Sequence, residues 1–282
     1  MTVIHTNVAA IKARSNLDRV QRDMDSSIAR LSSGKRIVDA RDDAAGSAIV
    51  GRMESQIRGL AMSVRSAKDG QSLVNTQEGA LQETASILQR MRELAVQSAM
   101  RVGVSKDGSS VKADLDYLNL EMIQLTAQVE HISTHTKFND VAVLGGTQFT
   151  FYHDIDVAGT TIQTVAADAS ASGLDVENTD VSIGVGSTIN TSAAINKVDL
   201  ALASVAAMRA DLGAVSNRFD HIVDNLTNVI MNTEASKSRI EDADFAVETT
   251  NLTRNTVLQQ AATSMITQAN AQKNSILALI QS

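Results

Sequence analysis

Met53, Leu60, Ala67, Val74, Leu81, Leu88 and Ala95 recur at an unbroken interval of seven residues. Seven residues are close to two turns of an α-helix, so these side chains fall on one stripe. Ile57, Val64, Ala85 and Ala99 fill intermediate positions of a 4-3 pattern, and Gln71, Glu78 and Arg92 interrupt it. Residues 43–99 contain no proline, and Gly59, Gly70 and Gly79 weaken a helix without ending it. At 1.5 Å per residue this helix extends for roughly 80 Å, past the width of a compact domain. The chain is therefore expected to form a rod with an apolar seam.

The neighbouring segments repeat the pattern. Ile4, Val8 and Ile11, then after a phase slip Leu17, Val20, Met24, Ile28 and Leu31, mark an amphipathic N-terminal arm. Ser32-Ser33-Gly34 is a natural stop, and Asp42 or Asp43 can cap the long helix where an acid suits the positive end of the macrodipole. After a Gly103/Gly108 turn, Val111, Leu115, Leu118, Met122, Leu125, Val129 and Ile132 alternate in steps of four and three. The short connection makes this second seam helix antiparallel to the first.

Residues 138–193 change to Val, Thr, Gly, Asp and Ser. Partial alternation at Phe149, Phe151, Ile155 and Val157, and again at Ile162 and Val165, predicts short strands and turns. Helical phasing returns with Ile195, Val198, Leu202, Val205, Leu212, Phe219, Ile222, Leu226 and Val229, although Arg209 and Ser216 fall on the seam. Leu258, Ala262, Met265, Ala269, Ile276 and Leu279 are in phase in a last helix. The expected fold class is mainly α: a long antiparallel helical rod, paired terminal coiled-coil arms and a small β/turn-rich segment in the middle. Its divisions are an N-terminal arm and connector (1–43), N-terminal rod helices (44–137), a β/turn-rich surface segment (138–194), a C-terminal rod helix (195–236) and a C-terminal arm (237–282).

Composition narrows the function. Only 2% of the 282 residues are aromatic, which disfavours compact all-β cores and stacking platforms for bases or sugars. Of the formal net charge of -7, most lies in residues 137–199, where eight acidic residues face only Lys137 and Lys197. That middle reads as a solvated surface, and no basic stripe offers a site for nucleic acid. Without cysteine there is no disulfide, thiolate metal site or cysteine nucleophile. His5, Lys12, Arg14 and Asp18 interrupt any signal-peptide-like run, and no apolar stretch of 18 residues follows, so neither a cleavable signal peptide nor membrane insertion is expected.

The arms are built for burial. In residues 252–282 the only charges are Arg254 and Lys273, beside nine large aliphatic side chains from Leu252 to Ile280. One arm paired only with the other leaves apolar surface wet, so further copies of the chain are needed to cover it. Both arms are expected to order only when subunits pack.

Leu31-Ser32-Ser33-Gly34-Lys35-Arg36-Ile37, Asp42-Asp43-Ala44-Ala45-Gly46 and Leu88-Gln89-Arg90-Met91-Arg92-Glu93-Leu94-Ala95-Val96-Gln97-Ser98 resemble the N-terminal region of bacterial flagellin. Leu212-Gly213-Ala214-Val215-Ser216-Asn217-Arg218-Phe219, Ser238-Arg239-Ile240-Glu241-Asp242-Ala243-Asp244-Phe245 and Leu258-Gln259-Gln260-Ala261 resemble its C-terminal region. The resemblance covers roughly residues 1–145 and 195–282. It implies an extracellular filament subunit, exported unfolded through the flagellar type III apparatus and polymerised under a filament cap, with hook-associated proteins as neighbours. It further implies an export chaperone on the C-terminal arm, and arms that pair as a coiled coil in the filament core. The variable middle of the family is short in this chain. By motif, the family's innate-immune Toll-like receptor face maps to Gln89, Arg90, Leu94, Gln97 and Glu121; these positions also suit packing between subunits. Lys35 stands where the family usually has an aliphatic residue, and Lys273 near where a proline is common.

His131 and His135 lie four apart on the second seam helix, but the stretch His-Ile-Ser-Thr-His lacks a zincin glutamate and a third ligand. Asp154-Ile155-Asp156 lacks the rest of a calcium loop. No catalytic constellation and no cofactor site stand out, and a structural, non-enzymatic role follows. The rivals are a hook-filament junction protein and, from another class, a metal-dependent enzyme using the two histidines.

Overall fold

The computed structural model describes residues 6–102, 110–152, 161–164, 166–183 and 191–281. Six helices and four short strands follow in the order α1 (Val8–Ser33), α2 (Ala44–Val102), α3 (Ser110–His135), β1 (Lys137–Phe138), β2 (Val141–Ala142), β3 (Thr150–Tyr152), β4 (Thr161–Gln163), α4 (Asn178–Val181), α5 (Thr191–Glu241) and α6 (Phe245–Gln281). The protein is mainly α-helical. At 59 residues α2 is about 88 Å long. The chain divides into two compact units, residues 58–230 and the two terminal stretches 1–57 and 231–282. Ile4, Asp154, Ile155, Asp156, Val157 and Val165 lie outside the described residues, as do the side chains of Val111, Lys273, Ile276 and Leu279.

In the larger unit Leu60, Ala67, Val74, Leu81, Leu88 and Ala95 of α2 are all buried, as their spacing requires. The second row of the seam differs from the expected one. Val64 and Ala85 are half-buried and Ala99 is exposed, whereas Ser63, Gly70, Gln77, Thr84, Met91 and Ser98 are buried. This row also repeats every seven residues, but three positions after the first row rather than four. Small and polar side chains hide it from a reading that counts only apolar ones. Small size is what the packing needs. A Cβ on Gly70 would sit 2.6 Å from Cζ of Phe219, so the missing side chain makes the notch that the ring fills.

The residues that seemed to interrupt the α2 stripe carry the polar side of its pairing with α5. Gln71 donates to Asp220 at 2.7 Å, Arg209 donates to Glu78 at 2.7 Å, and Arg92 donates to Asp199 at 2.6 Å. Residue numbers rise on one helix as they fall on the other, so the two run antiparallel. Arg209, an apparent intrusion on the α5 seam, is thus a partner of α2. Val198, Val205, Leu212, Phe219 and Leu226 are buried, with Ala194 and Ala201 added. Val229, expected on this seam, is 40% exposed: the helix has rotated its valine off the buried face there. On α3, Leu115, Met122 and Val129 are buried, and Leu118, Leu125 and Ile132 pack against the same core.

The middle of the chain is not the solvated surface its charge suggested. Val143, Leu144, Ile162, Ala167, Ala169, Leu174, Val176 and Val181 are buried in the core shared with α2, α3 and α5. Asp140, Asp175 and Glu177 are exposed on this segment, and its small apolar residues are too irregularly spaced to register as a pattern. Buried backbone needs partners, and the helices supply them. Gln77 donates to the Val143 carbonyl at 2.7 Å, Ser133 donates to the Leu144 carbonyl, Glu130 accepts from the Ala171 amide, and Asn119 accepts from the Ile183 amide. β1 and β2 form a hairpin whose two central residues, Asn139 and Asp140, have φ of 49° and 66°, the left-handed pair that a tight two-residue turn demands. β3 and β4 pair antiparallel, with Phe151 opposite Ile162.

In the terminal unit, Gly34 ends α1 in the left-handed conformation with its amide on the Arg30 carbonyl. Asp43 caps α2 by accepting from the Gly46 amide at 2.8 Å. Asp42 instead accepts from the amides of Val38 and Asp39 and so folds the connector. Lys35 is accommodated by pairing with Glu241 at 2.5 Å, while the Arg36 amide donates to the Glu241 carbonyl. The hydrogen bond to Glu241, and then its charge, hold the Lys35 ammonium above the ordinary lysine value. Backbone amides of Asp39 and Val38 hold the Asp42 carboxyl below the ordinary carboxylate value.

These shifts fix the pH window of the connector. The Lys35 contribution is complete below the unfolded lysine value and is lost as pH rises through the raised one; that of Asp42 is present above the unfolded carboxylate value and is lost as pH falls. Lys35→Ala should therefore remove part of the alkaline loss of stability and leave the acid limb in place. Half of the Lys35 side chain is in solvent, so the loss at neutral pH should be under about 1 kcal/mol. Melting of the wild type and variant across pH checks this; an unchanged alkaline limb would contradict it.

Candidate assembly surface

α1 and α6 pack antiparallel along their lengths. Asn7 caps α1 by accepting from the Ala10 amide and also donates to the Ala269 carbonyl at 3.1 Å. Farther along, Gln259 donates to Gln21 at 2.7 Å, and Arg30 pairs with the buried Glu248 at 3.1 Å. Both helices are formed along the described residues, and their caps and this ladder of polar pairs join them.

Between the ladder rungs, Leu17, Val20, Met24 and Leu31 of α1 are half-buried, as expected. Val8, Ile11 and Ile28, from the same stripe, are exposed. On α6 Leu252, Asn255, Gln259, Ala262, Ile266 and Ala269 are half-buried in steps of four and three, with Asn251 and Thr256 beside them. Leu258 and Met265 were expected in phase with Ala262 and Ala269, but they point outward, 46% and 62% exposed. The sequence reading missed Asn255 and Gln259 because they are polar. The signal available was the match of Gln21 with Gln259 and of Arg30 with Glu248 in one antiparallel register.

The outcome is a pair of helices with a mixed seam and with apolar side chains exposed on both. The face of α6 that meets α1 is largely small or polar, whereas Phe245, Val247, Val257, Leu258 and Met265 are exposed beside Val8, Ile11 and Ile28 of α1. Large apolar side chains exposed on one helical pair are surface that association can bury.

On the larger unit, Gln89 and Gln97 are exposed. Arg90 donates to Glu121 through Nε at 3.0 Å and Nη2 at 2.8 Å, and pairs with Glu93 at 3.1 Å. These bonds, Glu121 first, hold its guanidinium above the ordinary arginine value. Leu94 departs from this group: it is 0% exposed, in the core with Leu88 and Met91. Its expected role in a recognition face is corrected accordingly, because a partner could reach it only by opening the core. His131 and His135 are exposed and stacked, and no group of three potential metal ligands occurs among the described residues.

Long heptad helices and a helical pair with apolar side chains left in water define a helical-rod class of protein with surface for association. Comparison with known proteins gives the family. The bacterial flagellin N-terminal helical region matches residues 4–149, and the bacterial flagellin C-terminal helical region matches residues 195–280. The chain is 38% identical to flagellin of Halalkalibacterium halodurans, over 99% of this chain and 100% of that protein. It is 36% identical to flagellin of Bacillus subtilis, over 99% of each. It is 33% identical to the flagellar filament 33 kDa core protein of Treponema phagedenis, over 99% of this chain and 100% of that one. This chain belongs to the bacterial flagellin family, whose members are structural proteins of the flagellar filament.

Proposed function

We propose that copies of this flagellin polymerise by covering the outward faces of α1 and α6, which thereby become the core of the flagellar filament. The supporting observation is that Leu258, Met265, Val8 and Ile11 of this pair stand in water. The terminal stretches 1–43 and 237–282 then serve as filament core. Residues 44–137 and 195–236 form the helical shell, and residues 138–194 the short variable segment.

The finer partners follow from family membership. The chain reaches the cell exterior through the type III export apparatus, with a chaperone on its weakly charged C-terminal arm. It adds beneath a cap, beyond hook-associated proteins. Gln89, Arg90, Gln97 and Glu121 form the surface offered to a Toll-like receptor, without Leu94. No described helix is long and apolar enough to cross a membrane.

Electron microscopy of the purified chain, intact and lacking its last thirty residues, tests the assembly reading. Long regular tubes are expected from the intact chain and none from the truncated one. Equal growth of both would overturn it, and failure of the intact chain to elongate would favour a junction protein.

A further inference from the structure

The last turns of α3 hold a histidine pair that the assembly function does not use. His131 and His135 lie four residues apart on the exposed side of the helix, so their rings are on one face. The rings are parallel within 7°, with centroids 4.0 Å apart. Two metal–nitrogen bonds of about 2.0–2.1 Å, at angles between square and tetrahedral, need the nitrogens about 2.9–3.4 Å apart. Both rings are exposed, and turning them from the stack toward one another directs a nitrogen of each at a shared ion.

Nδ1 of His135 lies 3.2 Å from the His131 carbonyl and 2.9 Å from Oγ1 of Thr134, whose hydroxyl also reaches the Glu130 and His131 carbonyls. A carbonyl only accepts, so the tautomer protonated on Nδ1 is the one that satisfies the His131 contact, and it leaves the lone pair on Nε2. A second-shell carbonyl on the far ring nitrogen is how metal-ligating histidines are generally oriented. His135 is also the last residue of α3, where the negative end of the helix dipole favours a cation.

We infer that His131 and His135 form a two-point chelating site for a late first-row divalent transition metal, with water completing the coordination. Affinity follows the order for nitrogen ligands, Cu2+ above Ni2+ and Zn2+, while Ca2+ and Mg2+, which require oxygen ligands, do not bind. Having only two protein ligands, the site is an exchangeable binding site on the surface.

The test is titration of the full-length chain with Cu2+ by calorimetry, with electron paramagnetic resonance of the bound ion. One Cu2+ per chain with two coordinating imidazole nitrogens is expected. His131→Gln and His135→Gln should each weaken binding at least tenfold, because each converts a chelate into a single contact, while His221→Gln should not. Circular dichroism establishes that each variant retains its helices, and the nitrogen count in the wild type is independent of any variant. Unchanged affinity in both histidine variants, or resonance from a single imidazole nitrogen, would overturn the proposal.

Discussion

Leu258→Asp combined with Met265→Asp should abolish filament growth while leaving the folded chain nearly unchanged. Both side chains are already in water in the single chain, 46% and 62% exposed, so each substitution should move its stability by no more than about 0.5 kcal/mol. In an assembled core the same positions lose their solvent. Each apolar side chain there contributes about 1.5–3 kcal/mol of burial, and an unpaired carboxylate in its place adds a desolvation penalty. The pair should therefore weaken each subunit's addition by at least about 3 kcal/mol, a rise of more than about 100-fold in the concentration needed to polymerise. Sedimentation and microscopy read assembly, and melting reads the fold. Normal filaments from the double variant would remove the outward face of α6 from the assembly surface.

Phe219→Ala should be among the most damaging single changes in the larger unit. The ring is fully buried, fills the notch left by Gly70 of α2 and meets Phe151 edge to face with centroids 5.7 Å apart. Truncating a buried phenylalanine costs about 3–5 kcal/mol. Gly70→Ala has two opposing effects. It gains about 0.8–1.0 kcal/mol of helix propensity and forces a methyl group into Phe219, at about 1–3 kcal/mol for overpacking. The clash should win, for a net loss of up to about 2 kcal/mol. With Phe219→Ala in place the methyl group enters vacated space, so the double variant should be more stable than the sum of the single ones by about 1 kcal/mol or more. Denaturant unfolding of the four proteins measures this. Strict additivity, or a cost below about 1 kcal/mol for Phe219→Ala, would mean that α2 and α5 do not meet through this ring.

The polar interruptions of the seams show how a sequence pattern can be correct in period and incomplete in meaning. Gln71, Glu78 and Arg92 break the apolar stripe of α2 because each answers a residue on α5. Gln77 and Asn119 hold backbone of the middle segment through side chains that no apolar pattern picks out. A single helix cannot announce such roles, because each partner is far away in sequence and none repeats at a fixed interval. The terminal pair shows the same limit. Gln21 with Gln259 and Arg30 with Glu248 select the facing sides of α1 and α6, and the apolar stripe counted from Leu258 and Met265 selects the wrong side of α6.

The sequence by itself determined the helical class, the long uninterrupted α2, the seam from Leu60 to Ala95, the stop at Gly34 and the family motifs at both ends. These follow from local chemistry: a seven-residue period needs only the geometry of one helix, and a glycine stop only its own backbone freedom. Tertiary structure alone decided which row accompanies that seam, that Leu94 is core, that Val143, Leu144, Ile162 and Val176 of the middle segment join the core and which face of α6 remains in water. The physical reason is that α6 carries apolar side chains around most of its circumference. Periodicity then leaves the rotation of the helix open, and only the partners available across the interface settle it.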